Sequence, residues 1–378
     1  MQGPGARCLR LWLAFLIAAT AILFEVPSPL AARSAPVTVE VGGPGGQFQP
    51  AASGPYTAWR QNTRRRPGHF NVVAKVGARR MRVNAPGTNA ANGGISGHAL
   101  VYQQWKGGRS DLKRFNLRTR ERTSMSGKVN TRHWEYWPSQ SGKSLLFGRR
   151  KGASERSIIL YNRATKRTRV LDAVGSRRSF LGPGQVNGDF AVWWKCPKNL
   201  KCSVFRYKIS TRTKKRIPNG GWNHSAASVS PSGAVYLARA RTKACGVRGS
   251  LMRYRNNMLR RIASVPRGQQ TGDTYVTTDK FGNANVWFDR FVCGRPTASD
   301  IFRARDPQMR TLSVTVRGRR GMVESSPQGI QCESFCRRNF VAGTSVTLTP
   351  IPAQDFEFLG WRGDCLGRGR CTVLMDAP

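Results

Sequence analysis

Three observations in the sequence predict an all-β architecture of repeated small sheets followed by a separate, disulfide-bearing β domain. A glycine precedes a short apolar strand with an aromatic residue six times, at Gly54, Gly97, Gly142, Gly188, Gly233 and Gly282, spaced 43, 45, 46, 45 and 49 residues apart. A second strand-and-turn series follows in step, anchored by Phe115, Tyr161, Tyr207, Tyr254 and Phe302 at spacings of 46, 46, 47 and 48 residues. The final stretch, Ser313 to Pro378, breaks this period. Apolar strand, polar or basic turn and second strand make a hairpin. Each repeat therefore holds about four strands in roughly 45 residues, which is the sequence signature of a propeller blade. Six copies between about Gln47 and Leu312 predict a six-bladed β-propeller over residues 37–312. Two packed β-sandwiches are the competing architecture, but sandwiches rarely keep so constant a period.

The N-terminus comes first in the chain and predicts the compartment. Arg7 and Arg10 precede the uncharged run Leu11–Phe24, and small residues follow through Ala32. A basic start, a short apolar core and a small-residue exit describe a secretory signal peptide, residues 1–32, with Ser34 as the alternative cleavage point. The run is too short for a hydrocarbon core of ~30 Å at about 1.5 Å per residue. No membrane span is expected after cleavage. Beyond a Gly-rich linker at Gly42–Gly46, the segment Val37–Val41 is expected to return as the outer strand of the last blade and close the ring.

Two repeats carry Pro-Ser-Gln-Ser-Gly (138–142) and Ser-Pro-Ser-Gly (230–233) before their second strand. In these turns the chain resembles the TolB-like family of six-bladed propellers, whose blades carry a related Ser-Pro-Asp-Gly turn; the acidic residue is absent here. The C-terminal module, residues 313–378, contains Ser-Ser-Pro-x-Gly-Ile-x-Cys (325–332), Gly-Thr-x-Val-Thr-Leu-Thr (343–349), Gly-Trp-x-Gly-x-Cys (360–365) and Cys-Thr-Val-x-Met-Asp (371–376). It resembles the divergent internalin-type B-repeat of bacterial surface proteins, which implies a stalk or adhesion element. The family's final strand is missing, so completion by another chain stays open.

Eight cysteines remain after removal of Cys8 with the leader, and an even number in an exported chain reads as disulfides. Cys196 and Cys202 flank one hairpin loop and are expected to pair. Cys245 and Cys293 occupy corresponding loops of neighbouring blades and are expected to lace them together. Cys365 pairs with Cys371 around a Gly-Arg-rich loop, leaving Cys332 with Cys336. Zinc at Cys332 and Cys336 is the alternative, with no histidine nearby to complete it.

Formal charge is the most insistent feature: 63 Lys plus Arg against 19 Asp plus Glu give +44. Basic runs such as Arg64–Arg66, Arg149–Lys151, Lys214–Arg216 and Arg317–Arg320 fall in predicted turns, interleaved with aromatics at His133–Trp137 and Trp193–Trp194. That pattern points to a polyanionic polymer or an envelope protein as partner, with the basic bias of an Arg-rich composition as the bland alternative. Ten Trp, 17 Phe and 8 Tyr supply core material and exclude wholesale disorder. No hydrolase, phosphate-loop or zinc-protease motif is present, and no cofactor is expected. A non-enzymatic, monomeric binding or adhesion protein, secreted, periplasmic or at the cell surface, is the leading expectation. The alternative is a metal-dependent lectin or enzyme at the channel mouth. His133 and His224 each stand nine residues before a blade glycine, and Asp273 shares their register, so the three are the candidate metal ligands.

Overall fold

The structure, a computed structural model, describes residues 37–62, 68–177, 179–197, 201–240, 249–318 and 320–376. The leader, Cys245 and the Arg64–Arg66 run lie outside the described residues. Among the described residues every regular element is a strand, and no helix is long and apolar enough to cross a membrane.

The first strand, β1 (Val37–Val41), pairs with a strand more than 250 residues away, as described below. Blade one is β2 (Gln47–Ser53), β3 (Tyr56–Asn62), β4 (Phe70–Val76) and β5 (Arg79–Arg82). Blade two follows as β6 (Asn89–Ser96), β7 (Ala99–Lys106), β8 (Arg109–Asn116) and β9 (Arg122–Ser124). Blade three is β10 (Trp134–Ser141), β11 (Ser144–Lys151), β12 (Glu155–Asn162) and β13 (Arg167–Val174). Blade four is β14 (Phe180–Asn187), β15 (Phe190–Cys196), β16 (Ser203–Lys208) and β17 (Thr213–Arg216). Blade five is β18 (Asn223–Val229), β19 (Val235–Ala240), β20 (Ser250–Arg255) and β21 (Met258–Ser264). Blade six takes β22 (Gln269–Thr278), β23 (Ala284–Val292) and β24 (Arg295–Asp306), and β1 completes it at the outer edge. The first and last strands of the propeller thus share one sheet. The ring is fastened as the sequence predicts.

All six sheets are antiparallel meanders, and their first strands meet in cyclic order, with β22 returning to β2. The repeated glycines explain the shape of the first hairpins. Gly54, Gly97, Gly142 and Gly188 open two-residue turns at φ between 50° and 59°, a conformation that favours glycine. The anchoring aromatics Phe115, Tyr161, Tyr207, Tyr254 and Phe302 are all buried between blades. Trp59 and Trp193 are fully buried, and Trp193 stacks on Phe205 at 5.7 Å.

Each innermost strand carries one β-bulge at the same level, between residues 48 and 51, 92 and 95, 136 and 139, 183 and 186, 225 and 228, and 271 and 274. The first bulged residue alternates around the ring. Gln49, Trp137 and Ala226 take positive φ, whereas the intervening blades use Gly93, Gly184 and Gly272. A Cβ at Gly93 would lie 2.4 Å from the Pro138 carbonyl oxygen, and one at Gly184 would lie 2.2 Å from that of Ala227. Glycine is therefore required where one blade's bulge presses on the next.

The C-terminal module comprises β25 (Met309–Thr315), β26 (Gly321–Ser326), β27 (Gln331–Cys332), β28 (Phe335–Val341), β29 (Ser345–Pro352) and β30 (Cys371–Leu374). β25 pairs with β28, and β27-β26-β29-β30 form the second sheet. β25 runs through the expected boundary at 312/313, so the module's first strand begins at Met309. It docks on blade six: Asn283 Nδ2 donates to the Ala342 carbonyl at 2.9 Å, and Gly343 packs under the Phe281 ring. Disulfides join Cys196–Cys202, Cys332–Cys336 and Cys365–Cys371. Cys293 is also disulfide-bonded. Such bonds persist in oxidising compartments.

Candidate functional site

Two places among the described residues could take a ligand, and they differ in size and charge. The first is the central channel. Residues of the innermost strands, among them Gln49, Asn92, Trp137, Gln185, Ala226, Asp273 and Tyr275, wall it, and the cavity left among them is about 50 Å³. Two side chains close the channel by reaching across it. Gln185 of blade four donates to the Val276 carbonyl of blade six at 2.9 Å and accepts from the Val276 N–H at 3.1 Å. The Tyr275 hydroxyl of blade six donates to the Ile95 carbonyl of blade two at 2.9 Å. Burial pushes the Tyr275 phenol up to about 12. The remaining space suits one or two waters, at about 30 Å³ per water in the liquid.

Asp273 lies in that wall, and its backbone N–H donates to Asp289 Oδ1 at 2.7 Å. Burial, then the neighbouring Asp273 charge, pushes the Asp289 carboxyl well up, while Arg60 and bonds from the Gln49 and Asp273 backbone oppose the shift. The other two candidate ligands sit elsewhere. His224 is fully buried, with Nδ1 and Nε2 both lacking a hydrogen-bond partner. Burial, reinforced by the Arg239 charge, holds its imidazole at about 4. His133 lines a separate surface cleft. No cluster of three or more His, Cys, Asp or Glu that could hold a metal occurs among the described residues.

The reason the three do not converge is register. Blade three turns from its first to its second strand through the two residues 142–143, but blades five and six use the five residues 230–234 and 279–283. Counting back from the glycine therefore slips the alignment. Aligned on the bulge instead, His224 is equivalent to Glu135 and Gln270, and His133 to Trp222 and Gly268. The shared spacing of the two histidines does not translate into a shared position.

The second place is the cleft that holds His133. It has a volume of about 670 Å³ and lies between blades two and three. The β7–β8 turn supplies Gly107, Gly108 and Arg109; the connection into β10 supplies Thr131, Arg132, His133 and Trp134; β11 and its turn supply Arg150 and Gly152. Arg150 lies over the Trp134 ring at 5.1 Å, and Trp105 packs beside that ring at 6.3 Å. Arg109 faces Asp111 at 3.4 Å, whereas Arg132 and Arg150 make no ion pair among the described residues. Partial desolvation and the charges of Arg132, Lys151 and Arg149 depress the His133 pKa.

A buried ion pair below the cleft holds its wall. Glu135 has no exposed side-chain surface, and its Oε1 accepts from Arg149 Nε at 2.9 Å and from Thr131 Oγ1 at 2.6 Å. Arg149 Nη2 continues to the carbonyls of Lys128 and Val129 at 3.3 and 2.9 Å. Asn130 clamps the same loop by accepting from the Leu112 N–H and donating to its carbonyl. The charge and aromatic runs at His133–Trp137 and Arg149–Lys151 were visible in the sequence. Arg109 was not, because only the blade adjacency brings it in, and Arg132, next to His133 in the chain, was inconspicuous as a single charge outside the basic runs.

The fold and the site define the class: an all-β propeller protein with an Arg-lined cleft and an appended β module. No family model and no curated protein matches the chain. Solved structures similar to it are propellers. A protein assigned as TolB in Agrobacterium tumefaciens is 12% identical, with 70% of this chain and 92% of that one covered at a TM-score of 0.48. The β-propeller domain of the trilobed protease from Pyrococcus furiosus is 10% identical, covering 71% and 94% at 0.44. An oligogalacturonate lyase in complex with manganese is 13% identical, covering 72% and 91% at 0.42.

Proposed function

We propose that the chain is an exported, non-enzymatic binding protein whose basic propeller face engages a polyanionic partner at the cell envelope or outside it. One observation carries the reading: Arg132 and Arg150, two guanidinium groups with no ion pair among the described residues, converge with Trp134 in a concave cleft. Guanidinium forks match carboxylate, sulfate and phosphate groups. A chain at +44 surrounds that cleft with a field that attracts such groups from a distance. The resemblance of residues 313–378 to B-repeats fits a role as stalk or adhesion element beside the binding propeller. The TolB-like turns fit a propeller that presents its loops to a partner.

Binding of the leaderless protein to dextran sulfate should weaken linearly in log affinity against log salt. The Arg132→Ala/Arg150→Ala double variant should lower affinity at low salt by roughly tenfold to a hundredfold and flatten the slope by about two charges. Isothermal titration at several salt concentrations reads both quantities. Absence of binding, salt-independent binding, or an unchanged double variant with an unchanged melting temperature would each remove the reading.

A further inference from the structure

The cleft does not stand alone on its face of the propeller. Its ring, Trp134, is the first residue of β10, at the end of the innermost strand farthest from the glycine turn. Phe180 opens β14 at the same end of blade four, and Trp222 immediately precedes β18 at that end of blade five. Aligned on the bulges, Phe180 and Trp222 are equivalent, and Trp134 is offset by one residue. Three successive blades thus place an aromatic ring at one rim.

Each ring carries an arginine. Arg150 lies over Trp134 at 5.1 Å, Arg156 over Phe180 at 6.0 Å and Arg239 over Trp222 at 4.3 Å. None of the three arginines makes an ion pair among the described residues, although Arg156 donates to the Ser179 carbonyl at 3.0 Å. Some packed cations elsewhere are paired with acids: Arg149 with Glu135, Arg253 with Asp306, Lys195 and Lys214 with Asp172. Others, such as Arg206 over Phe190 and Arg290 over Phe302, lie on rings as the rim arginines do. What sets the rim apart is that three such arginine–ring pairs stand in successive blades at one end of the innermost strands. A guanidinium stacked on a ring is already held in one orientation with its N–H edges outward, so less freedom is lost when it forks onto an anion.

The geometry points to an extended acidic polysaccharide, a sugar chain bearing carboxylates or sulfates, lying along this rim from the cleft of blades two and three to Trp222 and Arg239 of blade five. This deepens the polyanion reading above and rests on it. The rings decide between polymers. Proteins that hold single-stranded nucleic acid use open aromatic faces on which bases stack. Here a guanidinium covers each ring, leaving charge and N–H donors as the recognition elements. The stations decide length. Packed sheets lie about 10 Å apart, so three blades in succession extend well beyond what a disaccharide reaches. Stations joined by one ligand act multivalently, and affinity rises with chain length until the last station is filled.

The test titrates the leaderless protein with mannuronate oligomers of defined length and with oligo-dT of matched charge, at fixed low salt. Affinity should rise at least tenfold from disaccharide to octasaccharide and then level off, and oligo-dT should bind more weakly than the octasaccharide. Arg239→Gln, which keeps a polar side chain but removes the charge, should weaken the octasaccharide about fivefold and leave the disaccharide unchanged, with the melting temperature as control. If that variant does not fold, Arg156→Gln asks the same of the neighbouring blade. Equal affinity for di- and octasaccharide, or no effect of either rim variant, would overturn the track while leaving a single basic cleft. Tighter binding of oligo-dT would overturn the polysaccharide. Failure of every polyanion to bind would instead overturn the underlying function.

Discussion

Replacing Arg149 by leucine is expected to lower the melting midpoint by on the order of 10 °C at neutral pH, the equivalent of roughly 3–5 kcal/mol. The cause is the carboxylate left behind. Glu135 is fully buried, Arg149 is its cationic partner, and Glu135 Oε2 has no hydrogen-bond partner of its own. Burial raises the Glu135 carboxyl above its ordinary value of 4.5, while bonds from Thr131 and Arg149 and the Arg149 charge pull it back. The native state therefore holds the Glu135 proton more tightly than the unfolded chain does. Its contribution to stability is fullest at low pH and falls as pH rises above the ordinary glutamate value. Removing Arg149 raises that carboxyl further and deepens the loss at pH 7. The gap between variant and wild type should accordingly narrow as pH is lowered toward 4.5. Adding Glu135→Gln to the leucine variant should recover most of the loss at pH 7, because an uncharged amide costs less to bury than an unpaired carboxylate. A gap that ignores pH, or a double variant no more stable than the single one, would contradict the assignment. The same change reaches the cleft, since Arg149 also holds the Lys128 and Val129 carbonyls of the loop that carries Arg132.

The propeller was legible because its repeat is written in short-range signals. A glycine at a two-residue turn, an apolar strand and an aromatic anchor recur about every 45 residues, and each is a local demand of hairpin geometry or interblade packing. The closing role of Val37–Val41 followed from the last blade lacking an outer strand. The pairings Cys196–Cys202, Cys332–Cys336 and Cys365–Cys371 followed from short spacings within loops. Register within the innermost strands was not legible. A bulge adds a residue without a fixed sequence mark, since glutamine, glycine, tryptophan and alanine all occupy its first position. Turn length then varies between blades, and His133, His224 and Asp273 part company. The module boundary shifted because Met309–Thr315 alternates like a blade strand yet pairs with Phe335–Val341. The cleft was half legible: its Arg and Trp runs were conspicuous, but the part supplied by Gly107–Arg109 depends on two blades standing side by side. Contacts across the channel left no trace at all, because Gln185 and Tyr275 bond to blades that are not their neighbours in sequence.

Gln185→Leu should destabilise the propeller by roughly 3–6 kcal/mol, and by more than Gln185→Ala does. An innermost strand has no partner along its channel side, so its backbone groups there need another source of hydrogen bonds. Gln185 supplies one for three of them: the Val276 carbonyl at 2.9 Å, the Val276 N–H at 3.1 Å and the Val229 N–H at 3.4 Å. Leucine nearly preserves the volume and fills the same space, so water cannot enter and all three groups lose their partner. Each buried group left unsatisfied costs about 1–3 kcal/mol. Alanine removes more contact but opens room continuous with the cavity of about 50 Å³, where a water can bond to the freed backbone. Simple packing predicts the opposite order, because truncation to alanine leaves the larger void. Thermal melts of the two variants therefore separate the explanations. If leucine proves the milder change, the amide is filling space and the channel is not held shut by its hydrogen bonds. If alanine is milder, a single side chain from blade four fastens blades five and six across the axis, and the channel is a structural tie.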